Sequence, residues 1–106
     1  MQVSRTGVYL DKSEVFFPTT KSGSSSTAKV EVKNRTKCSV GLRCSRLGGP
    51  FAHGMEGTFV VKPGFYMKVP VKYRPVSGGE HSATLELIEE GKDKVILKAT
   101  LKGRCV

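Results

Sequence analysis

Apolar side chains recur at every second position through most of this chain, and no window shows the three-to-four spacing of a helix. In TAKVEVKN, residues 27–34, Ala28, Val30 and Val32 alternate with Lys29, Glu31 and Lys33. In FYMKVPVKYR, residues 65–74, one row is Phe65, Met67, Val69, Val71 and Tyr73; the other is Tyr66, Lys68, Pro70, Lys72 and Arg74. Successive side chains of a pleated strand point to opposite faces, so both segments read as strands with one buried face. CSVGLRCS, residues 38–45, puts Cys38, Val40, Leu42 and Cys44 on the core side by the same rule. HSATLELI and KVILKATLK flank the hairpin turn EEGKD, and Ala83, Leu85 and Leu87 are expected to face Val95, Leu97, Ala99 and Leu101. Shorter runs lie at 8–10, 14–17 and 58–61. The first two read as two short strands or one interrupted strand, ended by Pro18, which has no N–H for a ladder.

Turn chemistry separates these runs. TTKSGSSST, residues 19–27, is a polar connection, and NRTK is short enough for a turn. RLGGPFAHGMEG, residues 46–57, reads as an exposed loop from which Phe51 tucks back onto the core. Pro63 with Gly64 and the run PVSGGE mark two further turns. Seven or eight short strands with turns about every ten residues predict an all-β, immunoglobulin-like antiparallel sandwich, a single domain over residues 1–106. A five- or six-stranded barrel is the alternative, and the strand count disfavours it. Pro70 interrupts an otherwise regular strand, so it is expected where pairing is absent or has ended, beside the strand at 58–61.

With 106 residues the chain can bury about 60–70% of its unfolded surface and needs no covalent staple. No apolar run approaches bilayer length, and the N-terminus lacks the apolar core of a secretory signal. Cys38 and Cys44 would lie about 20 Å apart along an extended strand, too far for a disulfide. Three unbridged thiols suit a reducing, cytoplasmic setting.

The punctuation residues carry a resemblance. A strand ending at Asn34, the Pro63–Gly64 turn, an alternating strand closing on Tyr73 and Pro75, the Gly78–Gly79 turn and a last strand ending at Gly103 together resemble the ASH domains. These are cytoplasmic immunoglobulin-like modules related to the PapD-like and major sperm protein domains. The resemblance is greatest to modules of the spindle-defective class of centrosomal scaffold. It implies a non-catalytic protein-interaction module, one piece of a longer multi-module protein, supporting pericentriolar material assembly and spindle organisation at the centrosome or the base of a cilium. The related major sperm protein domains bind acidic peptides through basic residues on one strand. Arg43 matches that place here, but Ser45 stands where a second lysine is expected.

Candidate chemistry is sparse. His53 and His81 are the only histidines, no nucleophile elbow or phosphate loop occurs, and Cys38, Cys44, His53, His81 and Cys105 lack metal-ligand spacing. No enzyme, cofactor or metal site is expected. The net charge of +9 and pI near 9.8 call for an acidic partner or a solvated face. If strand 27–34 pairs with strand 65–74, Lys29, Lys33, Lys68 and Lys72 share an outer face with Tyr66, and Glu31 is the single acid among them. Like charges on paired strands repel. Solvation alone accounts for such a face most simply; as a candidate interaction face it is expected to dock acidic segments of centrosomal or ciliary proteins. The functional alternatives are single-stranded nucleic acid or an acidic peptide at a membrane contact site. One outward aromatic, Tyr66, is fewer than a sheet that stacks bases requires.

Overall fold

The computed structural model describes residues 2–3 and 7–106, with side chains from residue 7 onward. Among the described residues ten strands form two five-stranded sheets packed face to face. Sheet A has the order β1 (Gln2–Val3), β2 (Val8–Leu10), β4 (Ser26–Asn34), β8 (Tyr66–Tyr73) and β6 (Phe51–His53). Sheet B has the order β3 (Glu14–Phe16), β10 (Lys94–Cys105), β9 (Gly79–Glu89), β5 (Val40–Cys44) and β7 (Phe59–Val61). Two open sheets, not a closed barrel, therefore bury the alternating rows. The pairings between these strands are antiparallel except β3 with β10, which is parallel and is continued by an isolated parallel bridge between Thr20 and Cys105.

The two N-terminal runs are separate strands on different sheets. Asp11 N–H still donates to the Glu31 carbonyl of sheet A, while the Ser13 carbonyl already accepts from Thr100 N–H of sheet B. Residues 11–13 thus carry the chain across the sandwich. The expected hairpin forms as β9 and β10, pairing Leu87 with Leu97, Leu85 with Ala99 and Ala83 with Leu101. A bulge between Val95 and Leu97 shifts the register and brings Ile96 partly into the core.

Val95, expected in the inner row, pairs with Ile88 beyond the bulge and Ile96 packs on the core in its place; two more positions and one segment also depart from expectation. Cys38 is exposed, because the strand begins at Val40 and the residues before it belong to a turn. Phe65 lies before β8 begins and is 64% exposed, beyond the end of the inner row that Val69, Val71 and Tyr73 fill. The segment 46–57 is not wholly a loop. Its residues 51–53 form β6 against the edge of β8, and Phe51 is buried as expected.

Two polar devices tie the sheets together. Asn34 is buried at the end of β4, and its Nδ2 donates to the carbonyls of Val61 on sheet B and Cys38 in the turn, both at 2.8 Å. Its Oδ1 accepts from Thr36 N–H and Oγ1, and its carbonyl accepts from Gly64 N–H at 2.7 Å. Gly64 holds φ of 77°, which glycine adopts without strain. At the other end Tyr73 is fully buried, its ring stacked on Phe51 and tilted against Phe17, with its hydroxyl 2.8 Å from His81 Nδ1 on β9. The ring lies directly over Gly103, where a Cβ would come within 2.5 Å of Cε2.

Replacing Gly103 with Ala is expected to destabilise the domain by about 1–3 kcal/mol, since a pinned ring cannot yield. Gly78→Ala, whose Cβ meets nothing nearer than 3.9 Å, is the matched control and should stay within about 0.5 kcal/mol in urea midpoint. Asn34→Ala leaves two carbonyls without their donor and should cost about 2–4 kcal/mol in the same measurement.

Candidate functional site

The pairing of β4 with β8 sets out the outer face of sheet A as four rows. At one end Lys72 stands between Thr27 of β4 and Ala52 of β6. Pro70 comes next, opposite Lys29. Lys68 follows opposite Glu31, whose backbone N–H donates to Asp11 Oδ1. In the last row Lys33 lies between Tyr66 and Tyr9. Lys29, Lys68, Lys72 and Tyr66 are exposed, and Lys33 is half-buried. Tyr9 shares this face but is itself buried, with the Arg35 guanidinium 5.1 Å above its ring.

This register corrects the expectation of like charges on paired strands. No lysine stands directly opposite another: Lys29 faces Pro70, Lys33 faces Tyr66, Lys68 faces Glu31 and Lys72 faces Thr27. Lysine neighbours are diagonal, at about 7–8 Å, so the repulsion is weaker than for directly opposed pairs. Arg43 is on sheet B, away from this face, where it pairs with Asp93 at 3.2 Å and Glu90 at 3.9 Å.

The two sheets differ sharply in charge balance. Sheet B with its hairpin turn holds six bases, Arg43, Lys92, Lys94, Lys98, Lys102 and Arg104. It also holds six acids, Glu14, Glu80, Glu86, Glu89, Glu90 and Asp93. Register places Lys98 opposite Glu86 and Arg104 opposite Glu80, and Lys102 reaches Glu14 at 3.1 Å. Of eighteen bases and nine acids in the chain, twelve bases and three acids remain for everything else, so the whole net charge of +9 lies outside sheet B. Among the described residues, every ion pair within 4 Å is on sheet B or its hairpin.

Concavities among the described residues include one on each sheet. An open groove of about 620 Å³ on sheet B is lined by Phe16, Lys102, Arg104, Glu80 and His81, and its charges are matched as above. A smaller notch of about 250 Å³ lies on sheet A, between Ala52, Gly54, Pro70, Val71 and Lys72. Pro70 sits there because β6 stops at His53: its carbonyl accepts from Gly54 N–H at 3.0 Å, and the missing donor faces a ladder that has just ended. Pairing has ended as anticipated. The neighbour, however, is β6, whereas residues 59–61 belong to sheet B. A Cβ on Gly54 would lie 2.8 Å from Pro70 Cγ, so glycine is what permits the approach. Sequence alone offers no signal for this feature, since three strand residues inside a glycine-rich stretch show no period.

The polar chemistry that remains is structural. His81 holds Tyr73, and His53 Nδ1 accepts from Met55 N–H. Among the described residues no three His, Cys, Asp or Glu side chains converge as metal ligands. Cys105 is buried, and Cys44 is half-buried, with burial pushing its thiol up to about 11.

Fold and surface together define a class, a PapD-like, immunoglobulin-type β-sandwich with one basic sheet face. The chain belongs to the Cep192 domain 8 family, whose model matches residues 3–106, and is an ASH/PapD-like module of a centrosomal scaffold. No curated protein matches it. Among solved structures it is similar to the ASH/PapD-like domain of human CEP192, PapD-like domain 7, at 20% identity and TM-score 0.79, covering 95% of this chain and 86% of that one. A protein of unknown function from Porphyromonas gingivalis W83 matches at 10% identity and TM-score 0.75 over 93% of this chain and 47% of that one. WR4, a C. elegans MSP family member, matches at 7% identity and TM-score 0.60, covering 93% and 97%. At these identities the structures attest the fold, which agrees with the resemblance carried by Asn34, Tyr73 and Gly103.

Thiol accessibility gives a direct check on the cysteine placement. At pH 8 a maleimide should modify Cys38 rapidly and leave Cys44 and Cys105 slow, giving one fast equivalent per chain until denaturant is added. Because the Cys44 thiol titrates higher folded than its usual 9.0, folding favours the protonated form. Its contribution to stability is present below pH 9 and lost as pH rises from about 9 to about 11. Cys44→Ala should flatten that part of the stability profile.

Proposed function

We propose that this domain is one module of a longer centrosomal scaffold and that it docks an acidic protein segment on the outer face of sheet A, in support of pericentriolar material assembly. The observation carrying this reading is the segregation of charge: sheet B with its hairpin turn is neutral, while Lys29, Lys33, Lys68 and Lys72 project from a face with Glu31 and Asp11 as its acids. A sheet kept soluble by its lysines alone has no need to be matched on one side and unmatched on the other. Unpaired bases raise the local concentration of acidic partners and speed their encounter. Tyr66, 55% exposed at the end of the same row, adds an amphipathic contact.

Reversing Lys29, Lys33, Lys68 and Lys72 to Glu should weaken binding of a Glu-rich peptide by about 10- to 100-fold and remove the partners recovered from mitotic extract. Reversal of Lys94 and Lys98 on sheet B is the control and should change neither. An unchanged partner list for the quadruple variant refutes the proposal. Steep low-salt binding of single-stranded RNA, lost in the same variant, would assign the face to nucleic acid instead.

A further inference from the structure

The geometry points to a specific subsite on that face, one that seats an apolar side chain of an extended acidic segment between two carboxylates. The inference rests on the docking role proposed above and adds what the segment must look like. Along β8 the outer row reads Tyr66, Lys68, Pro70, Lys72. The two lysines therefore flank Pro70 at one pleat repeat on either side, about 6.8 Å each way. The apolar notch of about 250 Å³ opens beside Pro70, with Ala52 and Thr27 in its walls, Gly54 at its end and Lys72 at its rim. Lys29 stands opposite Pro70 on β4 and adds a third base within side-chain reach.

An extended chain presents alternate residues to one side with this same repeat. Laid along β8, it places carboxylates over Lys68 and Lys72 when its acids are at positions i and i+4, and drops the side chain at i+2 into the notch. The recognised pattern is thus acid-x-apolar-x-acid. The notch stays open because position 54 is glycine, whose added Cβ would press to 2.8 Å from Pro70 Cγ. It has a wall at all because β6 ends at His53 and leaves the ring uncovered. Charge supplies attraction and orientation, and the notch supplies discrimination among acidic segments, since buried apolar area is insensitive to salt while the lysine contacts are screened.

The test uses the whole 106-residue chain and fluorescein-labelled peptides with Glu-rich flanks. One is centred on Glu-Ser-Leu-Ser-Glu, a second has Ala for the Leu, and a third has the same composition with the Leu moved one position. Anisotropy at moderate salt should show the first binding about five- to tenfold more tightly than the other two. Ala52→Leu, an exposed position on the outer side of β6, fills the notch and should erase that preference while leaving salt-dependent binding of all three. Ala52→Ser, which leaves the notch open, should retain it. Equal binding of the three peptides, or a preference that survives Ala52→Leu, overturns the subsite but leaves the acidic docking face standing. Failure of every peptide to bind overturns both.

Discussion

A single buried amide sets the frame for everything on this surface. Asn34 closes β4, and its side chain spans from sheet A to the Val61 carbonyl of sheet B while its backbone holds the turn that launches β8. Buried polar groups are stable only when satisfied, and here each side-chain atom has its partners: two carbonyls for Nδ2, two donors from Thr36 for Oδ1. A residue lacking this donor-acceptor pair, or one of another length, cannot meet both carbonyls. The start of β8 is thereby fixed against β4. Because side chains alternate, a slip of one residue would turn Lys68 and Lys72 inward and Val69 and Val71 outward.

Tyr73 performs the complementary task at the far end. Its ring fills the space above Gly103, joins Phe17 and Phe51, and extends a hydroxyl to His81, so one residue of sheet A contacts two strands of sheet B. With Asn34 at one end and Tyr73 at the other, β8 is held over its whole length. Its outer row then becomes a rigid ruler on which the spacing of Lys68, Pro70 and Lys72 has meaning. Docking surfaces built on regular elements hold such spacings better than loops do.

Membership in a scaffold family makes the distribution of charge more informative than its amount. A net charge of +9 spread evenly would serve solubility. Instead, the bases of sheet B are matched by acids across its strands and hairpin, and the excess lies elsewhere, with four of the bases on the outer face of sheet A. Within that face Glu31 tempers the Lys68 row, while Lys72 borders the apolar notch and Lys29 stands opposite Pro70. The surface is therefore graded, and the Pro70 end combines unmatched charge with apolar relief.

Much of this architecture is legible from residue order. Alternation in 27–34, 65–74, 81–88 and 94–102 identifies the long strands and most of their inner rows, because a period of two follows from the pleat itself. Asn34, the Pro63–Gly64 turn, Tyr73 and Gly103 mark the family, since each answers to a local need for a capped turn, a positive φ or a missing Cβ. The four lysines and Tyr66 follow from the same parity. The errors fall where strands begin, bulge or are short: Cys38 and Phe65 lie just outside their strands, the bulge before Leu97 puts Ile96 on the core in place of Val95, and β6 has three residues, too few for a period. Which sheet each strand joins, the cross-strand partners of each lysine, the matching of charge on sheet B and the notch beside Pro70 were decided only in three dimensions. They depend on residues far apart in the chain meeting across strands, and alternation says which face a side chain takes, not what stands beside it.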